Sequence, residues 1–226
     1  MTEPRPSFYA LAPSGWRDYV TVLHVPYTLW HLSYVVIGAA LAPRWRPDRL
    51  GLTLVAFFLA LGIGAHALDE LNGRPLRTRI PDGVLVALAV ASIGGAAAIG
   101  IVTAVRWTPW LLAFVGAGVF LVVAYNLELL GGRLHSDPVF AVAWGGFPLL
   151  TAYFACAERI RAVAVLAAAF AIAASAAQRA LSTPARALRR GGADSVERRA
   201  PLERALAALT AAMILLSGAL VAFREL

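Results

Sequence analysis

The sequence predicts an all-α, polytopic transmembrane bundle of about seven spans, forming a single domain over residues 1–226. Three observations point there. The chain is 60% hydrophobic and only 15% charged, where a soluble domain carries about a quarter charged residues. Its mean hydropathy is +0.71. Its apolar residues gather into runs close to the roughly 20 residues that a helix needs to cross a bilayer. The runs are rich in Ala and Leu and lack the alternation of a strand, so they read as helices.

The first run, 20–41, enters through His24-Val25-Pro26 and leaves through Ile37-Gly38-Ala39-Ala40. The second, 50–68, continues into His66-Ala67-Leu68-Asp69-Glu70, with Gly73 as a helix stop. The third and fourth, 84–105 and 109–127, carry Gly94-Gly95, Gly116 and Gly118, small residues that let helices approach closely in lipid. The fifth, 138–157, has Asp137 and Pro138 at its start, a fitting N-cap and first-turn pair. A charged turn at 158–161 separates it from the sixth, 162–180, the most Ala-rich run. The seventh is 205–223. Cys156, the single cysteine, excludes an internal disulfide and reads as a small packing residue.

All 20 basic residues are arginines. They sit in short segments between apolar runs, the pattern of loops that face anionic lipid and cytoplasm rather than nucleic acid. With the N-terminus inside, 13 arginines fall on the cytoplasmic side and 7 outside. The expected topology in a cell membrane is therefore N-terminus cytoplasmic, with residues 1–19 a cytoplasmic segment and 181–202 a cytoplasmic basic loop. Three loops, 69–83, 128–137 and 179–204, then share one face.

Ionisable groups at the edge of a span need a reason. His66, Asp69 and Glu70 stand at i, i+3 and i+4 on one helix face. An imidazole and two carboxylates there suit a divalent cation, Mg²⁺ above all; the same residues also suit a plain membrane–water boundary. Arg74, Arg77 and Arg79 follow in a loop stiffened by Pro75 and Pro81. Guanidinium forks grip phosphate oxygens, so the two segments together resemble a cradle for a metal diphosphate. His24 and His31 lie seven apart with Tyr27 between them, as helix glue or as cavity lining. Tyr125, Asn126 and Arg133 border the fourth loop. Arg186 and Arg189 read either as anion ligands or as a basic tether to lipid.

Residues 66–72, then Arg74-Pro75 and Ile80-Pro81-Asp82-Gly83, resemble a degenerate form of the first signature of the UbiA-type membrane prenyltransferases. The resemblance extends either side: His24-Val25-Pro26 before it, and Tyr125-Asn126 with Arg133 and Trp144-Gly145-Gly146 after it, are similar to that family's other landmarks. The resemblance implies transfer of an isoprenyl group from an isoprenyl diphosphate to a lipophilic acceptor at a cytoplasm-facing site. It implies Mg²⁺ at His66, Asp69 and Glu70. It gives Asp69, Tyr125 and Arg133 catalytic roles, Tyr125 through its π face against an allylic cation. Arg74, Arg77, Arg79, His24, Asn126, Arg186 and Arg189 would bind substrate, and the tail would lie among Phe57, Phe58, Phe120 and Phe147. The family's second acidic motif is replaced here by Gln178-Arg179 and by Arg186, Arg189 and Arg190. Two further readings stay open: a terpene cyclase, and a non-catalytic accessory protein that binds a lipid, quinone or metal on the same scaffold.

Overall fold

The computed structural model describes residues 5–12, 14–190 and 196–226. These are helical, with no strand among them. The helices are α1 (Trp16–Val22), α2 (Val25–Ala40), α3 (Pro47–Leu71), α4 (Asp82–Arg106), α5 (Leu111–Asn126), α6 (Asp137–Ala157), α7 (Ala162–Arg190) and α8 (Val196–Glu225). Each of the seven expected runs corresponds to a helix or a bent pair. Five are long and apolar enough to cross a bilayer. The first run is broken: α1 and α2 meet at 43°, where His24 takes a left-handed conformation just ahead of Pro26. The fourth, α5, is only 16 residues, or about 24 Å at 1.5 Å per residue.

Helix α6 is the hub. Two-thirds of its apolar window is buried, against 17% for α4 and 22% for α8. Large apolar side chains such as Val90, Val105, Leu166, Leu215 and Phe223 point outward, as they do where lipid is the solvent. Glycines set the closest approaches. A Cβ on Gly38 of α2 would collide with the Leu149 carbonyl oxygen of α6, and one on Gly145 would stand 2.5 Å from the Ala171 oxygen of α7. A buried polar chain ties α2 to α7: Trp30 Nε1 donates to Tyr34 Oη (2.5 Å), which also accepts from Ser175 Oγ (3.1 Å). Cys156 is a free, buried packing residue beside Ala39 and Tyr153.

At one end of the bundle, Arg49 is buried. It donates to Ala155 O (2.7 Å), pairs with Glu158 (2.8 Å) and lies over the Trp107 ring. An arginine expected in an exposed loop thus clasps α3 to α6. At the other end, the segment 181–202 departs from a loop. Residues 181–190 continue α7 and 196–202 begin α8, with Pro184 and Pro201 inside the helices. The N-terminal segment is not a free tail either, since α1 packs on the bundle through the buried Asp18.

Two segments are wound more widely than an α-helix: Phe58–Ala65 in α3 and Ala141–Gly146 in α6. Such π-type turns often mark functional sites. Here one ends immediately before His66 and the other contains Trp144.

Candidate functional site: an arginine-rimmed cavity beside an apolar groove

The arginine-rich loop is built around one buried acid. Glu70 is fully buried, and its two carboxylate oxygens accept from the Leu76 N–H (3.0 Å), the Thr78 N–H (2.8 Å) and the Thr78 hydroxyl (2.8 Å). Arg74 donates back to Thr78 O (3.1 Å) and Ile80 O (2.7 Å) and pairs with Asp82. Asp18 of α1 accepts from the Arg79 N–H at 3.0 Å, and Asn72 donates to Asn126 O at 3.3 Å. So fastened, the loop holds Arg74 and Arg77 at positive φ, 53° and 56°. That conformation is unfavourable for a residue with a side chain, and it persists only where surrounding structure imposes it. Both arginines line the cavity described next.

That cavity has a volume of about 680 Å³, within the ~300–1,000 Å³ typical of ligand sites. Residues from the Arg loop, α2, the α5 terminus, α6, α7 and the N-terminal segment enclose it. Among the described residues its walls carry seven arginines and one acid, Asp69. All four histidines of the chain are there: His24, His31, His66 and His135. The His24 and His66 rings stack at 4.0 Å, nearly parallel. His66 Nδ1 is 3.2 Å from Gly62 O, and His24 Nδ1 is 2.9 Å from Tyr9 Oη. Burial raises the pKa of the Tyr9 hydroxyl above its ordinary value, so it remains a hydroxyl there. Tyr125 stacks on His135 (4.4 Å) and lies 4.5 Å from the Trp144 ring.

The expected site residues divide clearly. His24, His66, Asp69, Arg74, Arg77, Tyr125, Asn126, Arg186 and Arg189 all line this one cavity. Three others do not. Glu70 lies outside the lining, and its carboxylate oxygens are engaged by the loop it folds. Arg79 and Arg133 are exposed and lie outside the lining; near Arg133 it is His135 that turns inward. Arg189 lines the cavity but is locked to Glu203 of α8 (2.5 and 2.8 Å). Arg179 is likewise tied to Asp137 (2.6 Å) and lies over the Phe140 ring. Arg186 carries its charge into the cavity among Tyr9, Tyr27, His24 and Asp69. Among the described residues, no group of three His, Cys, Asp or Glu side chains is placed to hold a metal ion. The expected three-donor Mg²⁺ site therefore does not form. Asp69 remains in the cavity as a single carboxylate.

A second concavity is apolar and runs between α3, α4, α5 and α6. Leu52, Phe57, Ile93, Ala97, Gly100, Phe114, Gly118 and Phe147 are among the residues lining it. From Ile93 to Thr103 it follows α4, about 15 Å. Phe57 and Phe147 face it as expected. Phe58 and Phe120 do not; they are exposed on the outside of the bundle. Trp144 lines both the groove and the polar cavity, so the two share a wall.

The N-terminal contribution was not foreseen. Arg5, Pro6, Ser7 and Tyr9 roof the cavity, with Phe8 and Tyr9 edge-on to Tyr27. The aromatic pair Phe8-Tyr9, followed by a helix start, was its sole sequence signal. Comparison with protein-family models, with curated proteins and with solved structures finds no match to this chain.

Proposed function

We propose that this membrane protein binds an isoprenyl diphosphate and transfers its prenyl group to a lipophilic acceptor. The observation that carries the reading is Trp144, which borders both concavities. A ligand passing it would place an anionic head among Arg74, Arg77 and Arg186 and an apolar tail among Phe57, Ala97 and Phe147. Arginine forks suit diphosphate oxygens. The groove offers a tail the apolar contact that water denies it. The arginine bias supports a cavity that faces the cytoplasm.

In the reaction the carbon–oxygen bond to the diphosphate breaks and pyrophosphate leaves. The prenyl carbon bonds to the acceptor, which gives up a proton. Arg186 and the loop arginines neutralise the charge that grows on the leaving group. The faces of Tyr125 and Trp144 lie where an allylic cation would form. Asp69 is the residue that would share a Mg²⁺ brought in with the diphosphate; the ion would supply further neutralisation of phosphate charge.

One observation favours a second reading, a non-catalytic carrier of the same kind of ligand: the cavity holds a single acid. Turnover of labelled isoprenyl diphosphate in a membrane assay separates the two. Release of pyrophosphate by the wild type, lost in Asp69→Asn, supports the transferase. Binding without release assigns the carrier. No binding at all refutes both.

A further inference from the structure

Arg133 and the leucines before it lie outside the cavity and the groove. Three large apolar side chains stand exposed there in one short segment between α5 and α6: Leu127 at 42%, Leu129 at 43% and Leu130 at 67%. The other side of the segment faces the protein, where His135 Nδ1 lies 3.1 Å from Tyr125 O and both residues line the arginine cavity.

The depth of this segment follows from the pairing of α5 with α4. A Cβ on Gly100 of α4 would collide with Val115 of α5, and Ala104 of α4 clusters with Leu111 of α5. Continued residue for residue, that antiparallel register sets Asn126, the end of α5, level with Ala89. Ala89 is seven residues from Asp82, where α4 begins, or about 10 Å at 1.5 Å per residue. Asp82 is exposed and paired with Arg74, so it marks the membrane–water boundary. The chain therefore leaves α5 about 10 Å inside that boundary.

Backbone at such a depth must find its own hydrogen-bond partners, and here it does. The N–H groups of Leu127, Glu128, Leu129, Gly132 and His135 donate to the carbonyls of Val123, Tyr125, Ala124, Glu128 and Gly132, at 2.8 to 3.3 Å. The Glu128 carboxylate turns back toward His135, 4.0 Å from its Nδ1.

We propose that residues 127–130 form a lipid-embedded loop whose leucines insert among the acyl chains of the leaflet on the cavity side. The partner is the phospholipid leaflet itself. Lipid tails provide the apolar contact that three exposed leucines lack in water. Arg133, also exposed, is long enough to hold its guanidinium among the lipid phosphates while its stem stays with the tails. The inference goes beyond the proposed function and stands whether or not an isoprenyl diphosphate binds.

Site-directed fluorescence on the full chain in phospholipid nanodiscs tests it. An NBD label is attached at Leu130→Cys in a Cys156→Ala background. Cys156 is only 7% exposed and can stay in place if that background fails to fold. Two reference labels calibrate the signal. One is at Val90, 68% exposed on α4 beside Ala89 and therefore at the same depth. The other is at Glu197, exposed in the charged start of α8. Lipids spin-labelled near the top of the acyl chain serve as quenchers. The Leu130 label should share the blue-shifted emission of the Val90 label and lose as much of it to the quencher. Leu129→Cys should behave alike and serves if Leu130→Cys fails to fold. Emission and quenching that match the Glu197 label would place the loop in water and overturn the proposal. A blue-shifted label that the lipids do not quench would mean that protein covers the loop, a second copy of the chain included, and would overturn it as well.

Discussion

Replacing Glu70 distinguishes a loop staple from a metal ligand. In Glu70→Ala the Leu76 and Thr78 N–H groups lose their acceptor, while the Thr78 hydroxyl is free to rotate to another. Both residues are buried, at 5% and 7% exposure. A buried donor left unpaired costs about 1–3 kcal/mol, so the two together cost about 2–6 kcal/mol. Glu70→Gln can keep an oxygen toward Thr78 but sets an amide N–H₂ against Leu76, for about 1–3 kcal/mol. The loop should open more readily in that order: wild type, Gln, Ala. Hydrogen exchange at residues 72–81 measures this directly. An opening eased by about 2 kcal/mol speeds exchange roughly 30-fold, and the alanine variant should show at least that. Unchanged exchange in Glu70→Ala, together with lost Mg²⁺ affinity, would refute the staple and restore Glu70 as a ligand.

Arg186→Ala should weaken binding of an isoprenyl thiodiphosphate by about tenfold or more, as expected for a lost charge-assisted contact of ~1.5–3 kcal/mol, while Arg133→Ala should leave it unchanged; titration in nanodiscs reads both. Ala97→Trp, midway down the groove, should exclude long-tailed thiodiphosphates yet still admit dimethylallyl thiodiphosphate, as a competition assay across tail lengths will show. Gly38→Ala should lower thermal stability in detergent, because its new methyl group meets the Leu149 carbonyl, a backbone atom that cannot rotate away.

Much of this architecture was legible in the sequence because the bilayer constrains it so strongly. Apolar runs of span length must be helices, and six of the seven expected runs became one helix each, while the first became the bent pair α1 and α2. The convergence of His66, Asp69, Tyr125, Asn126 and Arg186 was legible from the single face shared by three loops. The division between Asp69 and Glu70 was not. On a helix, neighbours differ by about 100° in direction, and i+3 and i+4 lie on either side of residue i. The cavity took the side of Asp69 and the Arg loop folded back onto the side of Glu70. That choice depends on the Leu76 and Thr78 backbone, which carries no sequence signal. Arg49 looked like a loop charge because its acceptors, Ala155 O and Glu158, lie more than a hundred residues away. The wider turns of α3 and α6 leave no mark in hydropathy, yet they border the site.

The central claim is that head and tail sites are continuous through Trp144. Calorimetry on the purified protein in nanodiscs should compare farnesyl thiodiphosphate, inorganic pyrophosphate and farnesol. A continuous site makes the joined ligand bind far more tightly than either part, because the second contact becomes intramolecular. Farnesyl thiodiphosphate should therefore exceed pyrophosphate in affinity by about 10²-fold or more. Equal affinity for pyrophosphate and farnesyl thiodiphosphate would contradict the account.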